Sequence, residues 1–431
     1  MHQNKKKALA DKLNFVITHN TDPALFLEAP GHKKAFTTED GVICIVEDAY
    51  TEFNKINKML ESEPGWREKF SNDYLEKEIQ KILGRILKDS NTDKADVYLD
   101  DLITQCENSN VEYTVYLPVD GVNMLVDRVD LGKITLTNMR GKQFEDYIKQ
   151  AEAQIMNCTP NQEDNQRHLH IWQRDVLPLL KDRVVAIYTT VAEPTRAQER
   201  AEEEFSRVLD ILRYFLFSAF QKSMEFDIGL NGNVHHGIGT AAIISADYQV
   251  FHTPRIFKGP RPFEITQEIV DAMQRVGVQA LAEMLHPDNK TDFSETLFAG
   301  IHWVANAHTQ ADPANEFLSL ASCLETFLTR SKTDIGSITN AVAGGVGWVL
   351  GHNYQDRLNL HKEVKNFYEK RSTISHGGKQ EDLSSHLPRL RDIVGAFILE
   401  MVRRRDDFAV GGKQALHDWI DQGPMRPDPS I

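Results

Sequence analysis

The sequence predicts an α+β protein in which mixed helix and antiparallel sheet are followed by an all-α helical bundle. Three observations predict it. Between about residues 47 and 109, apolar residues recur every three to four positions. Over residues 111–139, and again at 183–191, the period drops to two. From about Asp292 onward every periodic segment is helical. The expected organisation is an α+β region over 1–290, a helical domain over 291–410, and a short helix with a Pro-rich tail over 411–431.

In chain order, residues 5–16 read as a short basic helix. LFLEAP and GVICIVED read as short strands around the turn-prone TTEDG. Three packing helices follow, the clearest with Leu75, Ile79, Ile82, Leu83 and Ile86 on one face. VEYTVYLPV, GVNMLVDRV and GKITLTNM, separated by Asp-Gly and Leu-Gly, predict an antiparallel meander. A helix is expected over 142–160, a loop at NQEDNQRHLHIWQ, and a strand at RVVAIYTTV. The helix over 194–221 is opened by Pro194 and Thr195, with Phe205, Val208, Leu212, Phe215 and Ala219 as its docking face. Further strands are expected at 225–230 and 240–252, a Pro-rich turn at PRIFKGPRP, and then helix again.

The last third holds SETLFAGIHWVANAH and a helix started by Pro313 near its first turn. After these come SITNAVAGGVGWVL, a small-residue helix or hairpin, and the stretch LHKEVKNFYEKRSTISHGG (360–378). In this stretch Leu360, Val364, Phe367 and Ile374 form an apolar stripe, and Arg371 lies on it. His376 follows at the expected helix exit, where Gly377-Gly378 stops the helix. HLPRLRDIVGAFILEMVRRR is the next helix, apolar at Leu387, Leu390, Val394, Phe397 and Met401.

With 431 residues, 41% hydrophobic and 26% charged, the composition is that of an ordinary soluble protein. No run is long enough to span a bilayer. MHQNKKKALADKLNF has a basic start but lacks the apolar core of a secretory signal. Cys44, Cys106, Cys158 and Cys323 are widely spaced, the pattern of free thiols in a reducing cytoplasm. The net charge of −14 disfavours broad, non-specific binding to nucleic acid. Residues 354–405 nevertheless hold eleven Lys/Arg against seven Asp/Glu, or +4, which reads either as a local phosphate-facing surface or as a solvated helix face.

Rival motifs are few. His168 and His170, and His235-His236-Gly237, have no carboxylate or third His at ligand spacing, and there is no HExxH. GLNGNVHHGIG fits neither a P-loop nor a strand-borne GxGxxG, and no GxSxG or kinase signature is present. What remains is Arg371 with His376, whose spacing alone is of chance frequency and whose context singles it out.

RSTISHGG, preceded by NEFLSLASCLETFLTR and followed by a long amphipathic helix, resembles the Apea-like branch of the HEPN superfamily over residues 291–405. The order is similar: a helix bearing Trp303, a helix with the stretch Ala321 to Glu325, then a tyrosine helix. Tyr368, Arg371, Ser372, His376 and Gly377 match the core signature, while AVAGGVGWVLG departs from the family pattern. The resemblance implies a HEPN-like bundle that forms a homodimer, with two Arg-x4-His motifs across one cleft. It also implies a cytoplasmic endoribonuclease of bacterial antiviral defence, abortive infection or a toxin-like system, with RNA as substrate and neither metal nor cofactor.

The residue types suit that chemistry. A histidine serves as base or acid near neutral pH, and an arginine offers a fixed charged fork to phosphate oxygens. In this reading Arg371 and His376 are catalytic, Glu325 orients Arg371 or His376, and Ser372 adds a phosphate hydrogen bond. The region 1–290 would take a trigger ligand or protein. The alternatives are a non-catalytic HEPN module binding RNA, a nucleotide or a partner protein, and a scaffold in which Arg371 closes onto Glu325.

Overall fold

A computed structural model describes residues 3–38, 41–89, 95–109, 111–157, 160–220, 226, 228–230, 239–244, 250–255, 262–310, 312–330, 338–375, 383 and 385–422. It is an α+β protein of two compact units, one of residues 1–115 with 188–203, the other of 116–187 with 204–431. The units therefore do not divide at the expected residue 290.

The first unit holds helices α1 (Gln3–Thr18) and α2 (Pro23–Glu28), strands β1 (Lys33–Thr38) and β2 (Gly41–Val46), and helices α3 (Glu47–Glu61), α4 (Trp66–Lys69), α5 (Asn72–Asp89) and α6 (Ala95–Ser109). β1 and β2 form an antiparallel pair with Phe36 opposite Ile43. The first four residues of LFLEAP are helical, contrary to the strand expected. The Asp22 carboxylate accepts from the Ala24 N–H, and Pro23 at the first helical position fixes φ for a helix, which outweighs the β-propensity of Leu-Phe-Leu. The core is built from Leu9, Leu13 and Val16 of α1, Phe53, Ile56 and Leu60 of α3, and the expected face of α5.

Strand β7 (Val184–Ala192) leads into helix α10 (Pro194–Ala219) through Glu193, which is 1% exposed. Its carboxylate accepts from the Thr195 and Arg196 N–H groups at 2.8 and 2.7 Å and from Ser71 N–H at 3.1 Å. Three charge-assisted bonds thus satisfy orphan amides of α10 and tie it to the start of α5.

The remaining strands are β3 (Val111–Asp120), β4 (Val122–Met124), β5 (Arg128–Leu131), β6 (Ile134–Asn138), β8 (Gly229–Leu230), the antiparallel pair β9 (Gly239–Ile244) and β10 (Val250–Arg255), and β11 (Phe263–Ile265). The main sheet has the order β5-β6-β7-β3-β8, and the division between units falls within β3 and β7. The expected meander is corrected: β5 and β6 pair as a hairpin, but β7 occupies the place beside β6, and β4 pairs in parallel with β11. Only Gly fits the hairpin turn at residue 132, where φ is +64° and an added Cβ would lie 2.3 Å from the Ala282 carbonyl oxygen.

Between β6 and β7 run helices α7 (Gly141–Met156), α8 (Gln162–Ile171), a π-helical turn (Trp172–Val176) and α9 (Leu177–Leu180). The loop expected at NQEDNQRHLHIWQ is thus mostly helix. Asn161 caps it, Glu163 and Asp164 complement its dipole, and only Asn165 is buried, so no apolar stripe betrayed it.

Helices α11 (Gln267–Arg275), α12 (Val278–Met284), α13 (Ser294–Thr309), α14 (Pro313–Leu328), α15 (Ile338–Leu350), α16 (Tyr354–Ser375), α17 (Leu387–Arg403) and α18 (Gly412–Gln422) complete the second unit. Phe293, Phe327, Phe397 and Phe408 stack through its core. Residues 204–219 of α10 belong here too: Phe205, Val208, Leu212 and Phe215 are buried, whereas Ala219 is exposed. The segment 411–422, expected as part of a separate tail, packs into this core, with Leu416 fully buried and the His417 Nε2–H donating to the Phe327 carbonyl at 2.8 Å. Among the described residues no helix is long and apolar enough to cross a membrane.

Candidate functional site

Helix α16 carries the site. Its residues at 364, 367 and 368 are buried, while Arg371 and Ile374 are half-buried in the last turn. Three successive contacts lock it to α14. The Phe367 ring meets Phe317 edge-on at 6.2 Å, the Tyr368 hydroxyl donates to the Ala321 carbonyl at 3.4 Å, and Arg371 pairs with Glu325. The partners on α14 are spaced by four residues, so one face of that helix presents all three.

The Arg371 guanidinium lies edge-on to the carboxylate. Nη2 donates to Oε2 at 3.3 Å. Nε stands 3.1 Å from Oε1, yet that solvent-shielded oxygen receives no well-aligned hydrogen bond. Nη1 has no partner among the described residues, and the Arg371 side chain is 36% exposed against 19% for Glu325. Burial, and then the Glu325 charge, push the Tyr368 hydroxyl well above the ordinary tyrosine range, so it stays protonated and positions the helix rather than acting as a base. Ser372 is exposed one residue beyond Arg371. His376 and Gly377 lie outside the described residues.

The glycine-rich segment AVAGGVGWVLG has a packing consequence. An added Cβ at Gly347 would lie 2.9 Å from the Arg357 carbonyl oxygen, so the missing side chain lets α15 approach α16 closely. The Arg357 guanidinium stacks 3.9 Å from the Trp348 ring centroid, a cation–π contact that clips the two helices.

The local positive excess is largely engaged. Arg389 pairs with Glu363 at 2.9 Å, Arg404 with Glu400 at 2.6 Å, and Arg391 with Glu316 of α14. Arg404 and Glu400 stand one helical turn apart, whereas Glu363 and Glu316 lie on other helices than their arginines, so sequence spacing does not mark those two pairs. Clefts lie elsewhere: one of about 680 Å³ between α15, α16 and α17, and one of about 530 Å³ beside α13. Neither is lined by Arg371 or Glu325.

Rival candidates fare as follows. His168 and His170 are exposed on helix α8 rather than on a strand, and a spacing of two turns them to different sides. His235, His236 and Gly237 lie outside the described residues. No group of three or more His, Cys, Asp or Glu that could hold a metal occurs among the described residues. Residues that sequence reasoning passed over are Asp210, His302 and Asn306, joined by hydrogen bonds between α10 and α13. Set against known proteins, the chain matches no family model, no curated protein and no solved structure.

Proposed function

We propose that the chain is a HEPN-type endoribonuclease of bacterial defence or a toxin-like system, cutting RNA without a metal at a site shared by two copies. The observation that carries this reading is the setting of Arg371. Its guanidinium is held by Glu325 on the facing helix, yet its side chain stays one-third exposed with Nη1 unengaged among the described residues, and Arg371 stands five residues before His376 in sequence.

In the reaction, one histidine takes the 2′-OH proton and the 2′-oxygen attacks phosphorus. The bond from phosphorus to the 5′-oxygen then breaks, and a protonated histidine supplies the proton that oxygen needs. Arg371 neutralises the charge that builds on the phosphorane. One His376 per copy explains the use of two copies. The products are a 2′,3′-cyclic phosphate and a 5′-hydroxyl, and their detection after incubation of RNA with the protein in EDTA tests the reading. The region 1–290, acidic and without a catalytic motif in its sequence, takes the role of trigger recognition.

The Arg371–Glu325 pair is the contact expected of a scaffold, though the 36% exposure of the Arg371 side chain leaves it short of closed; the second reading is a module that binds RNA, a nucleotide or a protein without turnover. That reading expects binding weakened by Arg371→Ala, little effect of His376→Ala, and no cyclic phosphate.

A further inference from the structure

Helix α17 turns one stripe of side chains outward. Arg389, Asp392, Ala396 and Arg403 are exposed and Leu399 is half-buried, while Val394, Phe397, Ile398 and Met401 are buried in the core. The stripe steps by three, four, three and four residues, the spacing at which two helices keep one face in contact over several turns. It also borders the cleft of about 680 Å³, which α16 lines from the other side and whose lining includes Leu350, Leu360 and Ile393.

The charges on this stripe are unevenly engaged. Arg389 is held by Glu363 at 2.9 Å. Asp392 is exposed and makes no hydrogen bond or ion pair among the described residues. Arg403, its side chain 65% exposed, approaches Glu400 only to 4.0 Å. From Asp392 the order is acid, alanine, leucine, base, which becomes its own complement when reversed. Laid antiparallel on a second α17, Asp392 faces the partner's Arg403 and Ala396 faces the partner's Leu399, all in one register. A parallel pairing would instead set acid on acid and base on base. We propose that this face is a two-fold interface, on which a second copy of the chain docks through its own α17.

The interface is separate from the nuclease site. Phe367 meets the ring of His386 and Glu363 pairs with Arg389, so α17 runs antiparallel to α16. Continued, that register sets the middle of the stripe level with the start of α16, about 24 Å along the bundle from Arg371 at about 1.5 Å per residue. Two copies paired on α17 therefore hold their Arg371 side chains about 50 Å apart, too far to share one phosphate. The interface does not rest on the ribonuclease reading, and copies that use both faces associate beyond pairs.

Sedimentation velocity of the full chain over a concentration series, with charge reversals, tests the inference. Self-association of the unaltered chain is expected. Arg403→Glu or Asp392→Arg alone sets two like-charge contacts across the two-fold, and should weaken association about tenfold or more and halve the associated mass. The double variant carrying both substitutions makes each contact opposite in charge again and should recover the mass. Both positions are exposed, and circular dichroism checks that each variant is folded. An unaltered chain that stays monomeric, single variants of unchanged mass, or a double variant no better than the singles overturns the proposal. Association is read without RNA, so it can fail while the cleavage assay succeeds, and the reverse.

Discussion

Glu316 and Glu325 lie on the same helix and each engages an arginine, but the two pairs differ in their access to water. Glu316 is 4% exposed in its side chain and takes Arg391 in a two-bond fork, with Nη2 2.6 Å from Oε2. Glu325 holds Arg371 through one long bond and leaves the guanidinium one-third open. Bidentate and buried, the first is a clamp between α14 and α17; the second is a support for a charge that still faces water. Removing one partner of the buried clamp strands a charge, so Glu316→Ala should destabilise the protein by about 3–5 kcal/mol. Chemical denaturation measures this, and the double variant with Arg391→Met should lose less than Glu316→Ala alone. Arg371 was visible in the sequence because a charged residue interrupted an apolar stripe. Asp210 and His302 were not, because neither interrupts a pattern and their meeting depends on two helices far apart in sequence.

The helices of the last third were legible because their apolar residues repeat at helical spacing and Pro313 marks a start. The sheet was less so. Each strand carries period-two alternation, yet nothing local says that β7 returns between β6 and β3, since pairing is set by tertiary packing. The nature of AVAGGVGWVLG also stayed open, helix or hairpin, because glycine lowers helix propensity. It is helix α15, and close packing on α16 overrides that cost. Gly347→Ala gains about 1 kcal/mol of helix propensity. It should still lower stability by about 1–3 kcal/mol, because the methyl group meets the Arg357 carbonyl. A thermal melt showing a gain instead would contradict that packing.

Helix α18 makes a pH-dependent joint with α14. His417 is buried and neutral, its Nε2–H filling a carbonyl that the end of α14 leaves unpaired. Burial holds its pKa below the ordinary value of about 6.5. Between the lowered folded value and 6.5 the unfolded chain binds more protons, so stability is full above 6.5 and falls as pH drops through the folded value. Melting temperature should therefore decline on acidification through this window, and His417→Gln, which retains a donor but does not titrate, should flatten that part of the profile.

At the scale of the molecule, the chain folds as two units whose residues interleave along the sequence. Composition and periodicity conveyed the α+β class and the helical C-terminal third. They did not convey that residues 116–187 and 204–290 share a unit with that third, since such grouping arises from contacts between residues far apart in sequence, such as Asp210 with His302. For the proposed nuclease, this grouping places β5, β6 and β8 in one unit with the helical site. The direct test is RNA cleavage in EDTA by the full chain, with Arg371→Ala and His376→Ala alongside. The account predicts metal-free cleavage that falls about 10²–10⁴-fold in His376→Ala and at least 10²-fold in Arg371→Ala. Cleavage that persists in His376→Ala, or that is absent from the unaltered chain, would contradict it.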